Sequence, residues 1–137
     1  MSGSRADRLK KAEAELRKFA LGYPGAWEDH PWGERVAKVE KKVFAFFHVD
    51  ATQLSMSFKL PSSGSIALSL PFASPTGYGL GKSGWVSSRF APAERPPIDV
   101  LKRWIDESYR AVAPRRLVAE LDGNAPPKRK KPSRAKR

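Results

Sequence analysis

Residues 53–60 alternate without a break, with Leu54, Met56, Phe58 and Leu60 on one side and Gln53, Ser55, Ser57 and Lys59 on the other. A period of two predicts a β-strand with one face buried and one face wet. Immediately upstream, residues 43–49 are dense in β-branched and aromatic side chains, and residues 35–40 set valine and alanine among charges. Glu40-Lys41-Lys42 would turn the chain between those two runs. Three consecutive strands predict an antiparallel meander, and residues 85–90 read as a fourth strand.

Helical spacing brackets the strands. Leu9, Ala12, Leu16, Phe19 and Ala20 make an apolar stripe along residues 5–21, with Gly22 as C-cap and Pro24 blocking continuation. Ile98, Leu101, Ile105, Tyr109 and Val112 make a second stripe along residues 98–112, opened by Pro96-Pro97. Residues 62–70 predict a short helix capped by a serine and stopped by Pro71, and Pro114 restarts another through Leu121. Residues 23–33 and 72–84 read as loops rich in proline or glycine. The pattern predicts one α+β domain over residues 1–124: an antiparallel β-sheet of about four strands flanked by N- and C-terminal helices. Residues 125–137 are low-complexity Pro/Lys/Arg, too polar to pack, and are expected to be disordered.

Charge separates the ends from the middle. Twenty-six Lys and Arg face fourteen Asp and Glu, a formal net charge of +12. Residues 126–137 hold seven basic residues and no acidic one; residues 1–21 hold six and three. Residues 22–122 carry only about +2, so the termini dominate the attraction to anions. With no cysteine, disulfides and thiolate metal sites are excluded, as expected of a chain in a reducing cytoplasm. Residues 1–18 lack the apolar core of a signal peptide, and no apolar run is long enough to span a bilayer.

Catalytic and nucleotide motifs fail on context. Residues 79–84 match G-x-G-x-x-G, but a dinucleotide fingerprint needs a buried strand before it and a helix after it. Here a Pro/Gly loop precedes and Trp85-Val86 follows. Gly81-Lys82-Ser83 ends like a P-loop, yet the first glycine of that motif would be Thr76. The reading that survives is an exposed loop whose amides and Lys82 touch a phosphate. His30 beside Glu28 and Asp29 could serve acid–base chemistry only if the three converge in one cleft. A metal site from His30, His48 and a carboxylate has no supporting spacing. Neither enzymatic activity nor a cofactor or metal is expected. Among the four tryptophans, Trp104 borders the second helical stripe and is expected in the core, whereas Trp85 follows the basic loop and is a stacking candidate.

Several segments also line up in order with a known family. Residues 23–33, YPGAWEDHPWG, resemble the "LPG-x-x-E-x-x-P-F/W-G" opening of the MmcQ/YjbR-like family. Val36, Lys38 and Val39 with Lys42-Val43-Phe44-Ala45 resemble its hairpin, and Leu54-Ser55-Met56-Ser57-Phe58-Lys59 its "l-s-l-K" strand. Residues 79–86 resemble its "y-x-l-n-K-x-x-W-v" segment, and Trp104-Ile105-Asp106-Glu107-Ser108-Tyr109 its terminal "i-x-x-S-Y" helix. The resemblance covers about residues 8–121 and implies an antiparallel sheet with flanking helices. It also implies DNA binding, which members are credited with by analogy to a winged architecture. Pro24, Gly25 and Gly33 are expected to set turns. The basic tail lies beyond the family pattern, and residues 72–84 hold more small residues than it does.

The expected function is therefore DNA binding of low sequence specificity. Lys128, Arg129, Lys130, Lys131, Arg134, Lys136 and Arg137 would neutralise phosphates, and Lys38, Lys59, Lys82, Trp85 and Arg89 would continue the contact on the domain. No helix carries the Asn, Gln and Arg set that reads base edges. Nucleic acid is the expected partner, DNA before RNA, with no membrane, and the expected location is cytoplasmic, on the nucleoid. The alternative is a protein-interaction or small-ligand module without enzymatic activity, using Trp27, Trp32, Trp85 and the Glu28-Asp29-His30 loop. A blander role for the tail is solubility alone.

Overall fold

The computed structural model describes residues 5–77 and 79–123. The first apolar stripe forms helix α1 (Arg5–Leu21) and the second forms α3 (Ile98–Val112), with α2 (Gly64–Ala67) between them and α4 (Arg115–Leu121) after them. The strands are β1 (Ala26–Asp29), β2 (Arg35–Val39), β3 (Lys42–Val49), β4 (Leu54–Lys59), β5 (Ala73–Pro75) and β6 (Trp85–Phe90). They form one antiparallel sheet in the order β1-β2-β3-β4-β6-β5. The meander β2-β3-β4 is as expected, and Glu40 turns its first corner with φ +56°.

The sheet has six strands where the sequence pattern indicated about four. The two additional strands, β1 and β5, are four and three residues long and occupy the two edges. Both lie in segments read as loops. Proline and glycine hide strands this short, because an edge strand needs partners on one side only. The α2 cap also differs from expectation. Ser63 makes no capping bond at its own helix. Instead Glu107 of α3 accepts the Ser62 and Ser63 amides (2.7 and 2.9 Å) and the Ser63 hydroxyl (2.6 Å).

One face of the sheet makes the core. Ala45, Phe47, Met56, Phe58 and Val86 meet Leu9 and Leu16 of α1, Leu101, Trp104, Ile105 and Tyr109 of α3, and Ala67 of α2. Trp104 is thus a core residue, 6% exposed. Between Ala37 and Lys38 the β2–β3 register slips, leaving Phe44 as an extra residue that turns fully inward. Its ring meets Tyr109 edge-on at 5.3 Å.

The resembling segments meet in this core. The Tyr109 hydroxyl donates to the Pro24 carbonyl (2.7 Å), and the Tyr23 and Tyr109 rings stack at 4.6 Å. Ser108, fully buried, donates to the Phe44 carbonyl (2.5 Å) and accepts the Lys59 amide (2.8 Å). Its hydroxyl bridges β3 and β4 just past Ala45↔Phe58, where their own pairing stops. Gly25 sits at φ +71° with Leu117 only 3.1 Å from where a Cβ would lie, and Gly33 at φ +81°. Both glycines therefore set turns, as expected. No helix among the described residues is long and apolar enough to cross a membrane.

Candidate nucleic-acid interface

Alternation that sends Leu54, Met56 and Phe58 under the helices must send Ser55, Ser57 and Lys59 to the other side. Cross-strand pairing extends that side over the sheet. Phe46 lies opposite Ser57 and Ser57 opposite Ser87; His48 lies opposite Ser55 and Ser55 opposite Arg89. Lys59 lies opposite Trp85, and Lys38 between Trp27 and Val43. Core contacts of α1, α2 and α3 all fall on the opposite face, so this one has no helical cover among the described residues. Lys38, Lys59, Trp85 and Arg89, named from the sequence, share this face.

They are not equivalent on it. Lys38 is engaged: its ammonium lies 2.7 Å from Asp29 and 5.2 Å from the centre of the Trp27 ring. The Lys38 hydrogen bond, helped by the His30 amide, holds the Asp29 carboxyl below its usual range. Lys59 and Arg89 have no ion-pair partner among the described residues. Lys82 is also exposed and unpaired there, on the 3-10 turn Leu80–Ser83 that joins the β5 edge to β6. That turn leads into a strand rather than a helix, so it lacks the phosphate-binding geometry of a P-loop. Lys128, Arg129, Lys130, Lys131, Arg134, Lys136 and Arg137 lie outside the described residues, as does the boundary at residue 124.

Aromatic and hydroxyl groups fill the space between the cations. Trp85 is 8% exposed yet stands outside the core cluster; its ring meets half-buried Phe46 edge-on at 5.4 Å. The hydroxyls of Thr76, Ser87 and Ser57 form a chain, with links of 2.9 and 2.7 Å. Exposed His48 bonds Asp50 at 2.9 Å. Asp50, bonded first by the Thr52 hydroxyl and then by His48, is held far below the ordinary carboxylate range. Phe46, His48 and the hydroxyl chain escaped the sequence reading. Ser87 could have been found from the sequence, two residues from both Trp85 and Arg89, whereas Phe46 and His48 reach this face through their pairing with Ser57 and Ser55.

The Glu28-Asp29-His30 set does not converge. Glu28 turns to the helical side, where Arg17 and Arg35 reach it at 3.5 Å and the His30 ring at 2.7 Å. The same two arginines hold buried Glu13, at 2.9 and 3.1 Å. Asp29 turns to Lys38 on the opposite face. Among the described residues no three His, Asp or Glu side chains gather as a metal site. Of the remaining tryptophans, Trp27 is 44% exposed and donates its indole N–H to the Glu40 carbonyl. The Trp32 side chain lies outside the described part of the structure. On the helical side a groove of about 740 Å³ is lined by Phe19, Tyr23, Trp104, Arg103 and Glu107 among others.

A family model described as YjbR matches residues 21–111. Among solved structures, the chain is similar to the crystal structure of Deinococcus radiodurans protein DR2400, which carries a DUF419 domain. The two share 21% identity with a TM-score of 0.62, over 84% of this chain and 91% of that one. At that identity the likeness shows the fold alone. No curated protein matches.

Proposed function

The chain belongs to the YjbR family, and from that premise we propose that it is a DNA-binding protein of low sequence specificity. The supporting observation is the placement of Lys59 and Arg89, unpaired among the described residues, on a sheet face without helical cover. Lys82 adds an exposed cation at the edge strand, and the seven cations of residues 126–137 supply a long-range attraction. Phosphate contacts of this kind position the polymer and release its counterions without reading bases. On this reading the protein acts in the cytoplasm, on the nucleoid, as a binding protein and not an enzyme.

Gel-shift titration against duplex DNA at several salt concentrations tests the reading. If all seven tail cations engage, log affinity falls against log salt with a slope of about −6, from roughly 0.9 per contact. Truncation after residue 124 should remove most of that slope. Absence of binding by the full chain in low salt would defeat the proposal. The groove beside Trp104 supports the second reading, a small-ligand module. A ligand-induced rise in melting temperature that Arg103→Ala abolishes would favour it.

A further inference from the structure

The shape of the bare face bears on which kind of polynucleotide it fits. Six strands at about 4.8 Å spacing span roughly 24 Å. The major groove of DNA is about 12 Å wide and admits a helix or a two-stranded ribbon. A sheet this broad does not enter the groove of an undistorted duplex and meets it from outside, at its phosphates. An unpaired strand has no such restriction and can lay its bases on a sheet surface.

The groups on the face suit that polymer. Lys59 marks one end of the β4–β6 pair and Arg89 the other, about 13 Å apart along the strands. Between them lie Ser57 and Ser87, 8% exposed and already bonded to each other, so a bound strand would touch the groups around them. Phe46, half-buried against Trp85, and exposed His48 are flat π surfaces on the neighbouring strand. Asp29 and Asp50, the carboxylates bonded to side chains of this face, are neutralised by Lys38 and held in the Asp50-Thr52-Gln53 turn. Asp50 stays ionised there, so Lys59 and Arg89 stand against one carboxylate without a lysine or arginine partner among the described residues, beside aromatic surface.

We propose that the bare face of the sheet takes single-stranded nucleic acid, with Lys59 and Arg89 on its phosphates and unpaired bases on Phe46 and His48. The inference rests on the nucleic-acid reading above and narrows it to an unpaired polymer for the domain, leaving duplex affinity to the tail.

Fluorescence anisotropy of the full chain with a labelled 20-nucleotide oligo-dT and a labelled 20-base-pair duplex tests it. The intact protein should hold the oligo-dT at least fivefold more tightly. Lys59→Ala/Arg89→Ala should weaken oligo-dT about tenfold, with under twofold loss for the duplex. Its oligo-dT salt slope should shrink by about 1.4, from roughly 0.7 per phosphate contact on a single strand. Ultraviolet crosslinking, which needs no variant, should join thymidine to the peptide holding Phe46 and His48. Equal or tighter duplex binding, an unaltered double variant, or equal displacement by polyglutamate would each overturn the inference. If neither polymer binds, the nucleic-acid reading itself fails. If both bind and the double variant is neutral, only the assignment of this face fails.

Discussion

Leu54, Met56 and Phe58 lie beneath α1 and α3 at no more than 1% exposure. Ser55 and Lys59, in the same strand, lie on the face those helices leave open. Adjacent residues thus serve two sides with unlike chemistry. Covered-side groups are held by many contacts at once, and the polar bridge there, Ser108, has both its hydrogen bonds buried. Open-side groups are held by fewer: the Thr76-Ser87-Ser57 hydroxyl chain, the Phe46–Trp85 ring contact, the Lys38–Asp29 pair and the His48–Asp50 bond. The open face also buries Val36, Ser57, Trp85 and Ser87, so it contributes to stability at its centre and carries its charge around them, at Lys38, Lys59 and Arg89.

The largest effect should come from the covered side. Phe58→Ala removes a fully buried ring from the core and should cost about 3–5 kcal/mol, read by denaturant unfolding. A loss under 1 kcal/mol would erase the contrast between faces. Ser108→Ala should cost about 1–3 kcal/mol, since it strands the Lys59 amide and the Phe44 carbonyl together.

Alkaline titration sharpens the same point. Burial pushes the Tyr109 hydroxyl up to about 12, and burial with the Asp106 hydrogen bond raises Tyr23 further. A free tyrosine ionises near 10. Between about pH 10 and 12 the unfolded chain therefore loses these protons while the folded chain keeps them. Their contribution is full below about pH 10 and is lost as pH rises through the folded values. Absorbance at the phenolate band should show both titrating late, with stability falling across that window.

The smallest effects belong to the open side. Ser57→Ala should cost about 1 kcal/mol, because the buried Ser87 hydroxyl it bonds keeps Thr76 as a second partner. Lys59→Ala and Arg89→Ala should change stability by no more than about 0.5 kcal/mol while weakening nucleic-acid binding. Destabilisation as large as that of Ser108→Ala would mean that these cations serve the fold.

Sequence by itself determined the elements whose signal is local. The stripes of α1 and α3, the alternation of β4 and the apolar run of β3 each show themselves within one segment, because burial imposes a local pattern. Alternation also assigned Lys59 to a wet face. Tertiary structure alone decided what pairs with what. β1 and β5 are strands only because β2 and β6 lie beside them. Lys38 loses its freedom to Asp29 on one of those short edges. Lys59 and Arg89 share a face only through the register of strands far apart in the chain. The physical reason is range: helical and strand periods repeat over a few residues, whereas register, ion pairs and buried bridges such as Ser108 join groups that meet only when the whole sheet closes.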